Sequence, residues 1–211
     1  LIFHSPFSII NTETNPELPS RKIREEVHLL RDRSVLRRIA ANLLRLENLM
    51  KNLVIGQSGG PTAVINASLY GAVKAFKESG TDGHVLGMIN GIEGFLADHV
   101  MDLSTDLSDE ELELLKLTPA AYLGSCRYKL PADLESEVYP AIFDNFREMN
   151  IGYFLYVGGN DSMDTVDKLS RYAEKIGSDV KFIGIPKTID NDLVLTDHTP
   201  DRKSTRLNSS H

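Results

Sequence analysis

The stretch of this sequence with the greatest chemical potential is a polar loop that combines a lysine, a threonine and two carboxylates. It reads Pro-Lys-Thr-Ile-Asp-Asn-Asp over residues 186–192 and follows the apolar run 182–185. The lysine can stabilise negative charge as it moves, one carboxylate can accept a hydroxyl proton, and the other can hold Mg²⁺ directly or through water. Phosphoryl transfer requires these groups, because its catalysis depends on positioning and charge neutralisation. The alternative is a solvated acidic turn.

Two further loops are rich in glycine, and each lies between an apolar run and a helical pattern. They read Gly-Gln-Ser-Gly-Gly-Pro-Thr at 56–62 and Gly-Gly-Asn-Asp-Ser at 158–162. Glycines before a helix let backbone N–H groups approach a phosphate, and the helix N-terminus favours its negative charge. The first loop matches neither a Walker A loop nor the dinucleotide fingerprint, so a tight turn is an equal alternative there. In the second, Asp161 would repel a phosphate unless a cation compensates it. Lys187 is the predicted cation.

A parallel sheet would position these loops, because strand and helix patterns alternate along the middle of the chain. Continuous apolar runs predict buried strands at 52–56, 84–89, 153–157 and 181–185. Helical patterns cover 63–77, 108–117, 134–149 and 161–176, and residues 90–94 are predicted to form a turn. Ser108 and Glu111 have the spacing of a capping box. The alternation predicts an α/β fold with a doubly wound parallel sheet, whose ligands bind at the carboxyl ends of the strands.

The composition excludes several classes of protein. With 211 residues, 41% hydrophobic and 25% charged, the chain is expected to form one or two globular domains. A net charge of −7 argues against a nucleic-acid partner. The sequence has no run of about 18 apolar residues that could span a membrane. It has a single cysteine, Cys126, and therefore no internal disulfide, and its first ten residues do not resemble a signal peptide. We predict a cytoplasmic protein.

The composition also changes abruptly near residues 50 and 200. Residues 1–49 carry a net charge of +2, residues 50–200 carry −11 and residues 201–211 carry +2, and all 15 glycines lie within 56–184. We expect 50–200 to be the domain. The first segment is interpreted as upstream translated sequence or a non-conserved extension, with a basic amphipathic helix as the alternative. Residues 201–211 correspond to a sequencing adapter read as codons, and are expected to be an artefact.

Taken together, the loops resemble the phosphofructokinase family, and its diphosphate-dependent branch more than its ATP-dependent one. The resemblance rests on 158–162 and 186–192, and extends over about 50–200, including Gly-Ser-Cys-Arg at 124–127. It implies the family's N-terminal domain, without the C-terminal domain. The implied reaction moves a phosphoryl group reversibly between diphosphate and the 1-hydroxyl of fructose 6-phosphate, with Mg²⁺, in glycolysis.

The resemblance also implies roles for individual residues. Asp190 would be the base that takes the proton of the sugar hydroxyl, assisted at the catalytic centre by Lys187 and Asp161. Sugar-phosphate binding would involve Thr188, Ile189, Asp190 and Arg127. Diphosphate binding would involve Gly59, Gly60 and Ser162, and the metal would be held by Asn160 and Asp192. Asn160 stands where most members have an acidic ligand, and an amide oxygen adds no negative charge.

Two positions distinguish the phosphoryl donors. ATP-dependent members have glycine where this chain has Asp161 and Lys187. The carboxylate would occupy the place of the ATP α-phosphate, and the lysine would stabilise the phosphoryl group of diphosphate. The alternatives are an ATP-dependent 6-phosphofructokinase and a non-catalytic regulatory subunit of the family. Because family sites are completed by a second domain and by neighbouring subunits, we expect a homo-oligomer, and expect the 211-residue chain alone to be an inactive fragment.

Overall fold

The computed structural model describes residues 50–62, 64–188 and 194. These residues belong to the second of the two units into which the chain divides, Glu47–His211. The segments 1–49 and 201–211 and the site residues Ile189, Asp190 and Asp192 lie outside the described residues. The proposed boundaries at residues 50 and 200 therefore stay predictions.

A five-stranded sheet forms the centre of the described domain. Its strands, in chain order, are β1 (Asn52–Gln57), β2 (Val85–Met88), β3 (Val100–Asp102), β4 (Ile151–Gly158) and β5 (Lys181–Pro186). Their order in the sheet is β3-β2-β1-β4-β5, and every pair is parallel except β2 with β3. The four predicted strands and their parallel arrangement are confirmed.

Five helices cover the two faces of this sheet. They are α1 (Ile65–Glu78), α2 (Gly91–Leu96), α3 (Asp109–Leu115), α4 (Val138–Glu148) and α5 (Asn160–Ile176). Apolar side chains of α1 and α3 share one core with Leu53 and Ile55 of β1. Those of α2, α4 and α5 share the other core with Val54. Adjacent β1 residues point to opposite faces, so the sheet is buried on both sides and the predicted doubly wound α/β fold is confirmed.

The core beneath α4 and α5 is aromatic. Phe146 of α4 packs on Phe154 of β4 and Phe182 of β5, with ring centroids 5.6 and 6.0 Å apart. Phe143 of α4 lies 6.1 Å from Phe182, and Phe154 lies 5.5 Å from Phe182. Burying each such ring contributes roughly 2–3 kcal/mol. This packing holds β4 and β5 in register, and therefore holds the loops that follow these strands at a constant separation.

Two short elements differ from the prediction. Residues 90–94 were predicted to form a turn, but Asn90 is left-handed at φ 58° and leads into the helix α2. The prediction was wrong because α2 depends on the core, where Ile92 and Phe95 are buried. β3 was not predicted, since three residues carry no periodicity and its pairing of Met101 with Gly87 is a tertiary contact. The Ser108 capping box is confirmed.

No helix within the described part of the chain is long and apolar enough to cross a membrane. The cytoplasmic location stays a prediction.

Candidate functional site

The described parts of the three predicted loops, residues 56–62, 158–162 and 186–188, meet at the carboxyl edge of the sheet. They follow β1, β4 and β5, which are neighbours: Gln57 pairs with Val157, and Gly158 pairs with Pro186. With the segment around Arg127 they enclose a cleft of about 520 Å³, which we call the carboxyl-edge cleft. Its lining includes seven predicted site residues: Gly59, Gly60, Arg127, Asn160, Asp161, Ser162 and Thr188. The structure brings these seven residues together, and their roles stay predictions.

Lys187, which belongs to the third loop, makes hydrogen bonds to the other two loops. Its side chain is buried, with 8% of its surface exposed, and its Nζ donates to the carbonyl of Gly60. Its backbone N–H donates to the carbonyl of Gly158 at 2.7 Å. A Cβ on Gly59 would lie 3.6 Å from Nζ, so the ammonium is next to the glycine turn. Burial lowers the pKa of Lys187. An anion bound at Gly59 and Gly60 would meet a poorly solvated cation, which strengthens their attraction.

The N-terminus of α5 forms a second wall of the cleft. Gly159 is its extended N-cap, and no side chain caps the helix. Gly158 has no room for a side chain, because a Cβ there would collide with the hydroxyl of Ser162. The helix has 17 residues, so its N–H groups and dipole favour an anion at this end. Packing against Ser162 therefore requires glycine at position 158, and the approach of a phosphate to this turn stays a prediction.

Asp161, in the first turn of α5, pairs with Lys129 rather than with Lys187. The distance between the Lys129 Nζ and the Asp161 carboxylate is 3.0 Å, and both side chains are about 70% exposed, at 69% and 73%. The prediction that Lys187 compensates Asp161 is therefore wrong. The reason is that Lys187 is buried and bound to Gly60, whereas Lys129 lies on the rim beside Asp161.

Lys129 was missed by the sequence analysis. It follows Arg127 by two residues, and in an extended segment this spacing places two cations on the same side. Ser58 and Tyr128 also line the cleft and were not predicted individually. Arg-Tyr-Lys at 127–129 was the available signal, because two cations flank one aromatic residue directly after the glycine-containing 124–126 segment.

Two serine hydroxyls attach the Arg127 segment to the first glycine loop. Ser58 Oγ donates to the carbonyl of Cys126 at 3.2 Å, and Ser125 Oγ donates to the carbonyl of Gly59 at 2.7 Å. Gly124 has φ +73°, and a Cβ there would collide with the side-chain oxygen of Asn90. The segment therefore turns at Gly124, and the two serine hydrogen bonds hold it at the cleft.

The described residues fit a metal only in combination with a phosphate ligand. Within residues 50–62 and 64–188, no group of three or more His, Cys, Asp or Glu side chains could hold a metal ion. Among the described residues that line the carboxyl-edge cleft there is one carboxylate, Asp161, and one side-chain amide, Asn160, besides hydroxyl groups. Mg²⁺ is commonly bound by one or two carboxylates together with waters and substrate phosphates. This donor set is thus compatible with a magnesium-bound diphosphate.

Known proteins of similar sequence include enzymes that use diphosphate. A pyrophosphate–fructose 6-phosphate 1-phosphotransferase of Halomonas elongata is 45% identical over 152 residues, which are 71% of this chain and 36% of that protein. The crystal structure of a pyrophosphate-dependent phosphofructokinase from Nitrosospira multiformis is 41% identical, with a TM-score of 0.64, over 70% of this chain and 36% of its own. An ATP-dependent 6-phosphofructokinase of Vibrio cholerae is 27% identical over 72% of this chain and 43% of that protein.

The chain spans about 36% of the length of the diphosphate-using relatives. The phosphofructokinase family profile matches residues 52–204, which begin at β1 and include all three loops of the carboxyl-edge cleft. The match ends four residues beyond the boundary predicted at residue 200. Both the sequence match and the fold lead to one conclusion: the chain belongs to the phosphofructokinase family.

Proposed function

We propose that this chain is the N-terminal part of a phosphotransferase that moves a phosphoryl group reversibly between diphosphate and the 1-hydroxyl of fructose 6-phosphate. The observation that carries the proposal is a buried cation, Lys187, placed against the glycine loop of a cleft that also receives the N-terminus of α5. Two aligned sources of positive potential are suited to a compact polyanion. The identity of 45% to the diphosphate-using enzyme of Halomonas elongata, against 27% to the ATP-dependent enzyme of Vibrio cholerae, supports this donor.

Each loop then has a distinct task. The backbones of Gly59 and Gly60 and the first turn of α5 with Ser162 bind diphosphate, and Lys187 neutralises charge on the phosphoryl group as it transfers. Asp190 accepts the proton of the sugar 1-hydroxyl. Thr188, Ile189 and Arg127 orient the sugar phosphate. Asn160 and Asp192 would hold Mg²⁺ directly or through water, and the metal would supply charge neutralisation across the diphosphate.

Asp161 selects the donor in this proposal. Its carboxylate lines the cleft and would occupy the place of the ATP α-phosphate. Two anions about 4 Å apart repel by about 1 kcal/mol in water and about 4 kcal/mol at an effective dielectric of 20. Because Asp161 is 73% exposed and paired with Lys129, the value lies toward the lower figure before any steric overlap. Nucleotide binding would then be weakened between roughly fivefold and a thousandfold.

The test is the donor preference of the complete enzyme, meaning a protein in which this chain continues to the length of its relatives. We expect the wild type to prefer diphosphate, and Asp161→Gly to raise the ratio of kcat/KM for ATP to kcat/KM for diphosphate. Asp167→Gly is the matched control, since Asp167 is also exposed on α5 and paired with a cation, Arg171. A wild type that prefers ATP, or equal donor ratios in both variants, would contradict the proposal.

We also infer that the complete enzyme is a homo-oligomer, because the sites of the family that this sequence resembles are completed by neighbouring subunits. Light scattering coupled to size-exclusion chromatography measures this directly. A monomer that retains full activity would contradict the inference.

A further inference from the structure

The part of the chain that carries Arg127 and Lys129 has almost no regular structure of its own. Residues 116–137, here called the Arg127 loop, contain neither a helix nor a strand. Their backbone groups therefore need partners from elsewhere in the domain. Two of the cations around the cleft depend on this loop for their position, so whatever fixes the loop also fixes the charge around a bound anion.

Two buried side-chain amides, Gln57 and Asn66, supply many of those partners. Gln57 is the last residue of β1 and is 0% exposed, and Asn66 is in the first turn of α1 and is 1% exposed. Gln57 Nε2 donates to Asn66 Oδ1 at 2.9 Å and to the carbonyl of Ile65 at 3.2 Å. We refer to Gln57 and Asn66 as the amide pair.

The remaining polar atoms of the amide pair all reach the Arg127 loop. Gln57 Oε1 accepts from the N–H of Leu123 at 2.9 Å. Asn66 Oδ1 accepts from the N–H of Tyr122 at 2.9 Å, and its Nδ2 donates to the carbonyl of Thr118 at 3.0 Å. Both kinds of bond are possible because a side-chain amide carries an NH₂ donor and a carbonyl acceptor on separate atoms. A carboxylate at either position would lack the donor.

The amide pair is also linked through the backbone to the glycine loop of the cleft. Ser58 and Gly59 follow Gln57 directly and bond to Cys126 and Ser125 on the Arg127 loop. The loop is therefore attached at 118–123 by the amide pair and at 125–126 by the residues that line the cleft. Arg127 is the next residue after these attachments.

We propose that Gln57 and Asn66 are positioning residues that hold Arg127 and Lys129 at the mouth of the cleft. Gln57 is held by β1 and Asn66 by α1. Because both side chains bond to the Arg127 loop, they fix the position of its two cations. Neither residue lines the cleft, so neither touches a ligand there. The proposal rests on the proposed function only for its effect on catalysis, since the attachment of the loop can be measured separately.

Cys126 provides that separate measurement in the 211-residue chain. It is the only cysteine of the sequence, it is buried, and it lies immediately before Arg127. Its reaction with a thiol-specific disulfide reagent reports how often the loop opens, because the thiolate must reach the reagent. We expect Asn66→Ala to accelerate this reaction roughly tenfold or more, since buried backbone groups of the loop lose their partners.

The matched control is Asn145→Ala in α4. Asn145 Nδ2 donates to the carbonyl of Phe95 at 2.8 Å and to Asp98 Oδ1 at 3.3 Å, so the substitution removes amide hydrogen bonds that do not end on the Arg127 loop. Asn66→Asp is the second variant: it keeps the shape and the acceptor for Tyr122 and loses the donor to Thr118. Rates are compared at low urea, where local opening is nearly independent of denaturant, and the urea midpoint of each variant corrects for global stability.

The proposal is supported if Asn66→Ala and Asn66→Asp expose Cys126 more than their loss of global stability accounts for, and Asn145→Ala does not. It is overturned if the Asn66 variants behave like the control. In the complete enzyme the same Asn66 variants should lower kcat and raise the KM for fructose 6-phosphate, which Arg127 orients, with kcat/KM reduced by roughly a hundredfold. If the thiol result holds while the enzyme prefers ATP, the positioning role stands and the proposed donor fails.

Discussion

Two clefts of almost equal size lie at opposite edges of the sheet, and both are surrounded by cations. The carboxyl-edge cleft, of about 520 Å³, has Arg127 and Lys129 in its lining and Lys187 beside it. A second cleft of about 530 Å³, which we call the amino-edge cleft, is lined by residues at the starts of β4 and β5 and by three cations: Lys51, Arg147 and Lys181. Volume and the number of cations therefore do not distinguish an anion site.

The polarity of the backbone distinguishes them. α4 and α5 both end at the amino-edge cleft, where carbonyl groups give a negative potential, and Arg147 lies in the last turn of α4. Lys51 Nζ donates to Asn150 Oδ1 at 2.8 Å. Arg147 is therefore accounted for by a helix end and Lys51 by a local bond. At the carboxyl-edge cleft α5 begins, so its N–H groups and the cations act in the same direction.

The largest expected difference between the two edges concerns their carboxylates. In the complete enzyme, Asp190→Asn should lower kcat by about 10²–10⁴-fold, because an amide cannot accept the hydroxyl proton. Asp179→Asn, in the lining of the amino-edge cleft, should leave kcat unchanged. Steady-state kinetics of the two variants make the measurement. Wild-type turnover in Asp190→Asn would remove Asp190 from the mechanism.

The second-largest expected difference between the two clefts concerns their lysines. Lys187→Met should reduce kcat/KM for diphosphate by about 10²–10³-fold, since it removes the buried charge that neutralises the transferring group in the proposed mechanism. Lys181→Met, at the amino-edge cleft, should have little effect. Equal losses in the two variants would mean that the cations act through the net charge of the domain rather than through their position.

Two glycines with positive φ allow the effect of backbone strain to be distinguished from an effect on diphosphate binding. Gly59 has φ +75° at the carboxyl-edge cleft, and Gly177 has φ +67° just after α5. Alanine at either position should cost about 1–2 kcal/mol of unfolding free energy, because both are left-handed. Only Gly59→Ala should weaken diphosphate binding, measured by calorimetry on the complete enzyme. Unequal stability losses, or weaker binding in Gly177→Ala, would contradict this.

The smallest effect is a pH dependence of stability. Burial lowers the pKa of Lys187 in the folded state below the ordinary value of 10.5. Between these two pKa values the unfolded chain binds more protons than the folded one, so this contribution to stability rises with pH and is complete above 10.5. The free energy of unfolding of the wild type relative to Lys187→Met should therefore increase as pH approaches 10.5. Urea titrations over pH 8–10 test it, and a constant difference would contradict it.

The longer elements were predictable because their signals are local. The buried strands β1 and β4 are continuous apolar runs, and the Ser108 capping box is a spacing of three residues. β3 and α2 were missed because they are short and depend on pairing with β2 and on burial of Phe95. Their residues have too few neighbours along the chain to express a period.

The same distinction between local signals and tertiary contacts holds for the candidate site. Strand–glycine–helix order placed Gly59 and Ser162 at one edge of the sheet, because parallel strands end together. The partner of Asp161 was not predictable. Lys129 is 32 positions away along the chain and reaches Asp161 only because the Arg127 loop crosses the N-terminus of α5.

The sequence by itself determined the fold class, the family and the three loops, because apolar periods and glycine-rich turns act over a few residues. The tertiary structure alone decided how charge is distributed around the loops. It buried Lys187 against Gly60, paired Asp161 with Lys129, and attached the Arg127 loop through Gln57 and Asn66. These contacts join residues far apart in sequence. Their strength depends on burial and on the direction of helix dipoles, which exist only after the chain has folded.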